Sequence, residues 1–150
     1  MSKPDLQGAY RDRERAIETE LTRIGLDIEA AAVKYLQKHD INVTGDLVKS
    51  IRSEVQRITN GFELRVGTNM QYAPFRHFDT QPHWVPRKPI LRWVQKKLGL
   101  QGKELRQRTF LVQRKIALRG TKGKPFLTAP FRLFRNQIGR RIAQAVSSVS

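Results

Sequence analysis

His77, Asp79 and His83 are the residues whose types and spacing come closest to chemistry. Two imidazoles and a carboxylate on one short stretch could hold a zinc ion if a further ligand or a water completed the set. Polar side chains in a proline-rich stretch also satisfy loop backbone, and that is the expected role, so no metal is expected. Other chemistry is thinly supplied. The chain has no cysteine, which excludes thiol nucleophiles, disulfides and Cys-ligated clusters. Beyond Glu54 the only side-chain carboxylates are Glu63, Asp79 and Glu104, so a paired-carboxylate hydrolase would have to recruit Asp40, Asp46 or amino-terminal glutamates that read as surface charge. There is no Gly-x-Ser-x-Gly nucleophile elbow. Gly120-Thr-Lys-Gly-Lys-Pro125 looks like a phosphate loop but has too few residues between its glycines, and proline follows the second lysine where Ser or Thr is required. No catalytic residue, cofactor site or metal site is assigned.

Charge is more informative. The net charge is +16, and Lys and Arg balance Asp and Glu over residues 1–79, so the whole surplus lies in residues 80–150, where Glu104 is the only acid. So one-sided a field favours a polyanionic partner, either nucleic acid or an acidic protein surface. The bland alternative is a solvated basic face. Arg87, Lys88, Lys122, Lys124, Arg132, Arg135 and Arg140 are the basic-surface candidates. No apolar run approaches the ~18 residues of a membrane span, and the segment Met1 to Gly8 lacks the apolar centre of a signal peptide, which leads us to expect a protein kept in the cytosol.

The elements that must position these residues are read from periodicity. Over residues 1–39, Tyr10, Ile17, Leu21, Ile24, Ile28, Ala32 and Tyr35 recur at helical spacing and predict one long amphipathic helix, with Gly25 marking a break or a close helix contact. Residues 40–45 read as a loop, and residues 44–68 as a short turn followed by a β-hairpin about Asn60-Gly61, with Val55 opposite Val66 on the buried face. Residues 69–89 form an aromatic and proline loop. Residues 89–150 read as a basic helical region: Pro89 to Leu98 stopped by Gly99, Lys103 to Arg119 stopped by Gly120, and a last helix from about Ala129-Pro130. The last helix is expected to bury a stripe of Phe131, Phe134, Ile138, Ile142, Ala145 and Val149. The expected fold is a single α+β domain over 1–150, a long amino-terminal helix and two or three further helices on a small antiparallel sheet.

The order of motifs is itself recognisable. Thr44-Gly-Asp-Leu-Val-Lys-Ser-Ile51, a hairpin ending Val66-Gly-Thr68, Tyr72-Ala-Pro-Phe-Arg-His-Phe-Asp-Thr80, Pro82-His83 with a Trp-containing helix, and Gly120-Thr-Lys-Gly-Lys-Pro-Phe-Leu-Thr-Ala-Pro130 follow one another. The series resembles the tail-completion, or head-tail joining, proteins of long-tailed bacteriophages, also called neck or minor tail proteins. The resemblance covers about residues 40–135, with His77 where the family usually has Glu, and Asp79 where it usually has Gly. It implies a structural virion protein without catalysis, forming a homo-oligomeric ring in the neck. Its partners would be the head connector or portal adaptor and the tail terminator or tail tube, with non-specific contact to passing DNA. Such a protein is assembled in the host cytoplasm and needs no membrane. Tyr72, Phe75, Phe78, Trp84, Trp93 and Phe126 are the candidate residues of the subunit or partner contact, Trp84 being alternatively a base-stacking platform beside Arg87 and Lys88. The second functional reading is a nucleic-acid-binding protein acting through the basic carboxyl half, although no helix-turn-helix or RNA-recognition motif is present. A small hydrolase or metal enzyme is the third.

Overall fold

The structure is a computed structural model that describes residues 5–39 and 45–149. The loop expected at 40–45, together with Asp40 and Thr44, falls almost wholly outside the described residues. The elements run α1 (Leu6–Lys38), α2 (Asp46–Ser50), β1 (Arg52–Ile58), β2 (Gly61–Gly67), α3 (Ala73–His77), α4 (Arg87–Leu98), α5 (Gly102–Arg119) and α6 (Thr128–Ser147). The fold is α+β, with β1 and β2 pairing as a two-stranded antiparallel sheet. Contacts divide the chain into two compact units, Met1–Gln71 with Phe126–Ser150, and Tyr72–Pro125.

In the first unit α1 is capped by the Asp5 carboxylate, which accepts the Gly8 N–H at 2.9 Å. Leu21, Ile24, Ile28, Ala32 and Leu36 are its buried stripe, while Leu6 and Tyr10, nearer its start, are exposed. The helix packs against both strands. Gly25 makes the close approach possible, because a Cβ there would lie 2.7 Å from Ser53 Oγ and 2.9 Å from Leu64 Cδ1. Beside it the Glu29 carboxylate accepts the Ser53 N–H and, at 2.5 Å, the Ser53 hydroxyl, tying the helix to the edge of β1. Farther along, Arg57 pairs with Glu14, and the Arg57 guanidinium sits 5.6 Å from the Phe62 ring centroid.

The hairpin register differs from the expected one. Ile58 pairs with Gly61, so Thr59 and Asn60 form the turn, and Val55 faces Leu64 while Ser53 faces Val66. A shift of two residues keeps every side chain on its face, so the alternating pattern determines the face and leaves the register to the turn. Gly61 takes φ 148° immediately after that turn, a value suited to glycine.

α6 packs along α1. Arg141 forks between the two helices, donating from Nε to Glu20 and from Nη1 to Asp27, each at 2.7 Å. The expected buried stripe of α6 is only partly covered. Phe134, Ile138, Ile142 and Ala145 are half-buried, whereas Phe131 and Val149 are exposed, and Pro130 is the buried residue of the helix. Periodicity marks the apolar face of a helix without saying how much of it a neighbour covers.

The second unit is built on α4 and α5, which pack together. α4 follows Pro86 and ends at Gly99, left-handed at φ 63°. Val94, Leu105 and Thr109 are buried between or beside them, Thr109 returning its hydroxyl to the Leu105 carbonyl at 2.7 Å. The stretch 69–89, read from the sequence as loop throughout, contains α3, a single short helix that buries Ala73 and His77.

Candidate interaction surfaces

The segments that carry the sequence motifs are joined in pairs. In the first unit the Ser50 and Thr68 hydroxyls lie 2.6 Å apart in a hydrogen bond, linking the turn before β1 to the end of β2. In the second unit Thr80 and Thr121 form a β-bridge. The Thr80 N–H donates to the Thr121 carbonyl and the Thr121 N–H to Thr80 Oγ1, each at 2.9 Å, and the two hydroxyls are 2.7 Å apart. Asp79 Oδ1 accepts the Gly123 N–H at 2.7 Å, and the Lys124 N–H donates to the Arg76 carbonyl at 2.8 Å. This closeness demands glycine. A Cβ on Gly120, itself at φ 69°, would lie 1.9 Å from Thr80 O, and one on Gly123 would lie 2.3 Å from the Phe78 carbonyl carbon. The sequence pattern marks Gly120 as a helix stop and Gly123 as part of the basic loop that follows, but could not show what either approaches.

His77, Asp79 and His83 do not gather around a common point. Asp79 binds loop backbone as above, His83 Nδ1 lies 2.7 Å from the Gln81 carbonyl, and His77 is buried with its ring 4.4 Å from that of Phe78. Burial holds the His77 imidazole below the ordinary histidine pKa, because the charged form loses hydration. Among the described residues, no group of three or more His, Asp or Glu side chains is placed to hold a metal.

The aromatic candidates divide. Tyr72, Phe75, Phe78 and Trp84 are exposed, and Trp93 is half-buried on α4. Phe75 and Phe78 flank a shallow recess that also includes Pro74, Asp79 and Gln81. Phe126 is corrected: it is fully buried in the first unit, so it is a core side chain and cannot offer a contact surface. An aromatic beside a proline reads the same in either role until its burial is known. Phe110, exposed on α5 with its ring centroid 6.5 Å from that of Trp84, was missed. Its signal was available, because it stands off the buried α5 positions Leu105, Thr109 and Gln113 and four residues from both Arg106 and Arg114.

The basic candidates are all exposed, with Arg87, Lys88, Lys122 and Lys124 in the second unit and Arg132, Arg135 and Arg140 on α6. Tyr72–Pro125 carries fourteen Lys and Arg against Asp79 and Glu104, twelve of the sixteen surplus charges. Among the described residues, no helix is long and apolar enough to cross a membrane. Comparison of the chain with family models, with curated proteins and with solved structures returned no match.

Proposed function

We propose that the protein is a structural subunit of a bacteriophage particle, a tail-completion or head-tail joining protein. In this reading it closes into a ring in the neck, between the head connector or portal adaptor and the tail terminator or tail tube. The observation that carries the reading is the pairing of the motif residues. Ser50 with Thr68, and Thr80 with Thr121 across 41 residues of sequence, are the points where separate motif segments are fastened to each other. Motifs spent on hydrogen-bonded fastening rather than on a titratable cluster suit a protein whose work is to present surfaces.

A ring subunit needs two different surfaces, because head-to-tail closure joins unlike patches. Phe75 and Phe78 on the second unit, and Leu6, Tyr10 and Leu133 on the first, are large apolar side chains left in solvent and supply candidates for both. The reading assigns the protein no catalysis and no cofactor. Two measurements test it: electron microscopy of the purified protein, and the morphology of particles assembled without it. Rings, together with unjoined heads and tails that become infectious when the protein is added, are expected. A protein that stays monomeric and whose loss leaves particles whole would overturn the reading.

A further inference from the structure

Trp84 is a candidate contact of the neck reading, but that reading makes no use of its pairing with Phe110, which sets two exposed aromatic side chains together on the unit that carries most of the net charge. Their ring centroids are 6.5 Å apart, and they remain 60% and 53% exposed. Trp84 is nevertheless held in place. The Gln113 amide donates to the Val85 carbonyl at 2.9 Å, and the His83 N–H reaches the Ile116 carbonyl at 3.4 Å, so both neighbours of Trp84 are fastened to α5. An exposed indole on a backbone anchored at both sides is preorganised for a partner.

The surroundings of the pair say which partner. Arg106, Phe110 and Arg114 recur every four residues on α5, one face of the helix with about 6 Å between successive positions. Arg87 and Lys88 open α4 shortly after Trp84. If the two rings entered an apolar pocket, these cations would lose water without compensation. A polyanion compensates them, and guanidinium groups bind phosphate oxygens in pairs. An acidic protein surface would satisfy the charges but leave the two aromatic faces unused. Nucleic acid with unpaired bases uses both, since every base has a face that stacks.

We infer that the Trp84–Phe110 face of Tyr72–Pro125 is a platform for single-stranded nucleic acid. Bases stack on the two rings, and Arg106, Arg114, Arg87 and Lys88 take the phosphates. Sequence preference is weak, because stacking tolerates every base.

The full chain contains two tryptophans, so Trp93→Phe leaves Trp84 as the only indole and makes its fluorescence the reporter. The probes are oligothymidylate, inorganic polyphosphate, and a DNA duplex of matching length. Oligothymidylate is expected to quench Trp84 and to bind more tightly than the duplex, whereas polyphosphate binds without quenching. With a labelled oligothymidylate, Phe110→Leu, which keeps apolar bulk and removes the aromatic face, is expected to lower affinity about fivefold or more without changing the salt dependence. Arg106→Gln and Arg114→Gln should each flatten the logarithmic salt slope by about 0.7. Melting curves of each variant establish that it is folded. No binding at low salt, binding of polyphosphate as tight as oligothymidylate with no effect of Phe110→Leu, or preference for the duplex would each overturn the platform. A chain that forms rings but fails this titration overturns the platform alone, and one that quenches with oligothymidylate but never assembles overturns the neck reading alone.

Discussion

Gly123 shows how much one hydrogen atom can decide. Its missing side chain lets the Gly120–Lys124 stretch lie against Phe78 and Asp79 closely enough for Asp79 to accept the Gly123 N–H. Alanine would put a methyl group 2.3 Å from a backbone carbon that has no rotamer to yield. Gly123→Ala is therefore expected to destabilise the second unit by about 1–3 kcal/mol, the usual cost of overpacking a close contact. Amide exchange checks this: the Thr121 and Lys124 N–H groups, which donate to Thr80 and Arg76, should lose protection while α1 keeps its own. Unchanged protection would show that the loop can step aside. His77 gives a second prediction at this scale. Burial lowers its pKa, so below the ordinary value of about 6.5 the unfolded chain takes up a proton that the folded chain resists. Its contribution is thus fully present above pH ~6.5 and is lost as pH falls from there toward the lowered native pKa. Urea midpoints of the wild type and of His77→Gln at about pH 7.5 and about pH 5.5 should show a smaller fall with pH in the variant. Equal falls would remove His77 as a cause.

The same physics separates the helices as elements. Ile28 is 1% exposed on the covered stretch of α1, whereas Ile138 on α6 is half-buried. Ile28→Ala should destabilise the first unit by about 2–5 kcal/mol through lost burial and the cavity left behind. Ile138→Ala should cost under about 1.5 kcal/mol, because less surface is returned to water. Denaturant unfolding of the two variants decides it, and equal losses would mean that α6 is more deeply packed than its exposure indicates. The helices are legible in the sequence because apolar spacing and terminal glycines are local signals, whereas Gly25, which reads there as a break or a close helix contact, sits in an unbroken α1 and approaches Ser53 and Leu64 of the strands. The register of the hairpin was not, since a period of two is blind to a two-residue shift. α3 was hidden among prolines because its five residues are too few to show a period. The lopsided charge could be read from composition and the aromatic residues from type, but not which of them are exposed. The burial of Phe126, the pairing of Trp84 with Phe110 and the glycine contacts all depend on residues distant in sequence, which no local pattern reports.

At the scale of the molecule, burial and charge are distributed in opposite directions. The first unit buries Ile24, Ile28, Leu36, Ile51 and Phe126 almost completely. The buried positions of the second are fewer and more polar: Ala73, Val94 and Leu105 beside His77, Thr109 and Gln113. That unit also carries most of the net charge, and like charges on two adjacent helices repel one another. Little apolar burial and strong self-repulsion both lower the free energy of local opening. Amides in the centres of α4 and α5 are therefore expected to exchange faster than those of α1 between Leu21 and Leu36. Salt separates the two causes. Raising ionic strength from about 0.01 M to about 0.15 M shortens the screening length from about 30 Å to about 8 Å. If repulsion contributes, exchange in α4 and α5 should slow several-fold, while α1, held mainly by burial, should change little. If α4 and α5 are as protected as α1 at low salt, or show no response to added salt, charge repulsion is not what loosens the second unit. A unit loosened by its own charge has a further property, because any polyanion that binds the folded form stabilises it by mass action. Oligothymidylate should then protect α4 and α5 from exchange at low salt, and Phe110→Leu should weaken that protection in proportion to the affinity it loses.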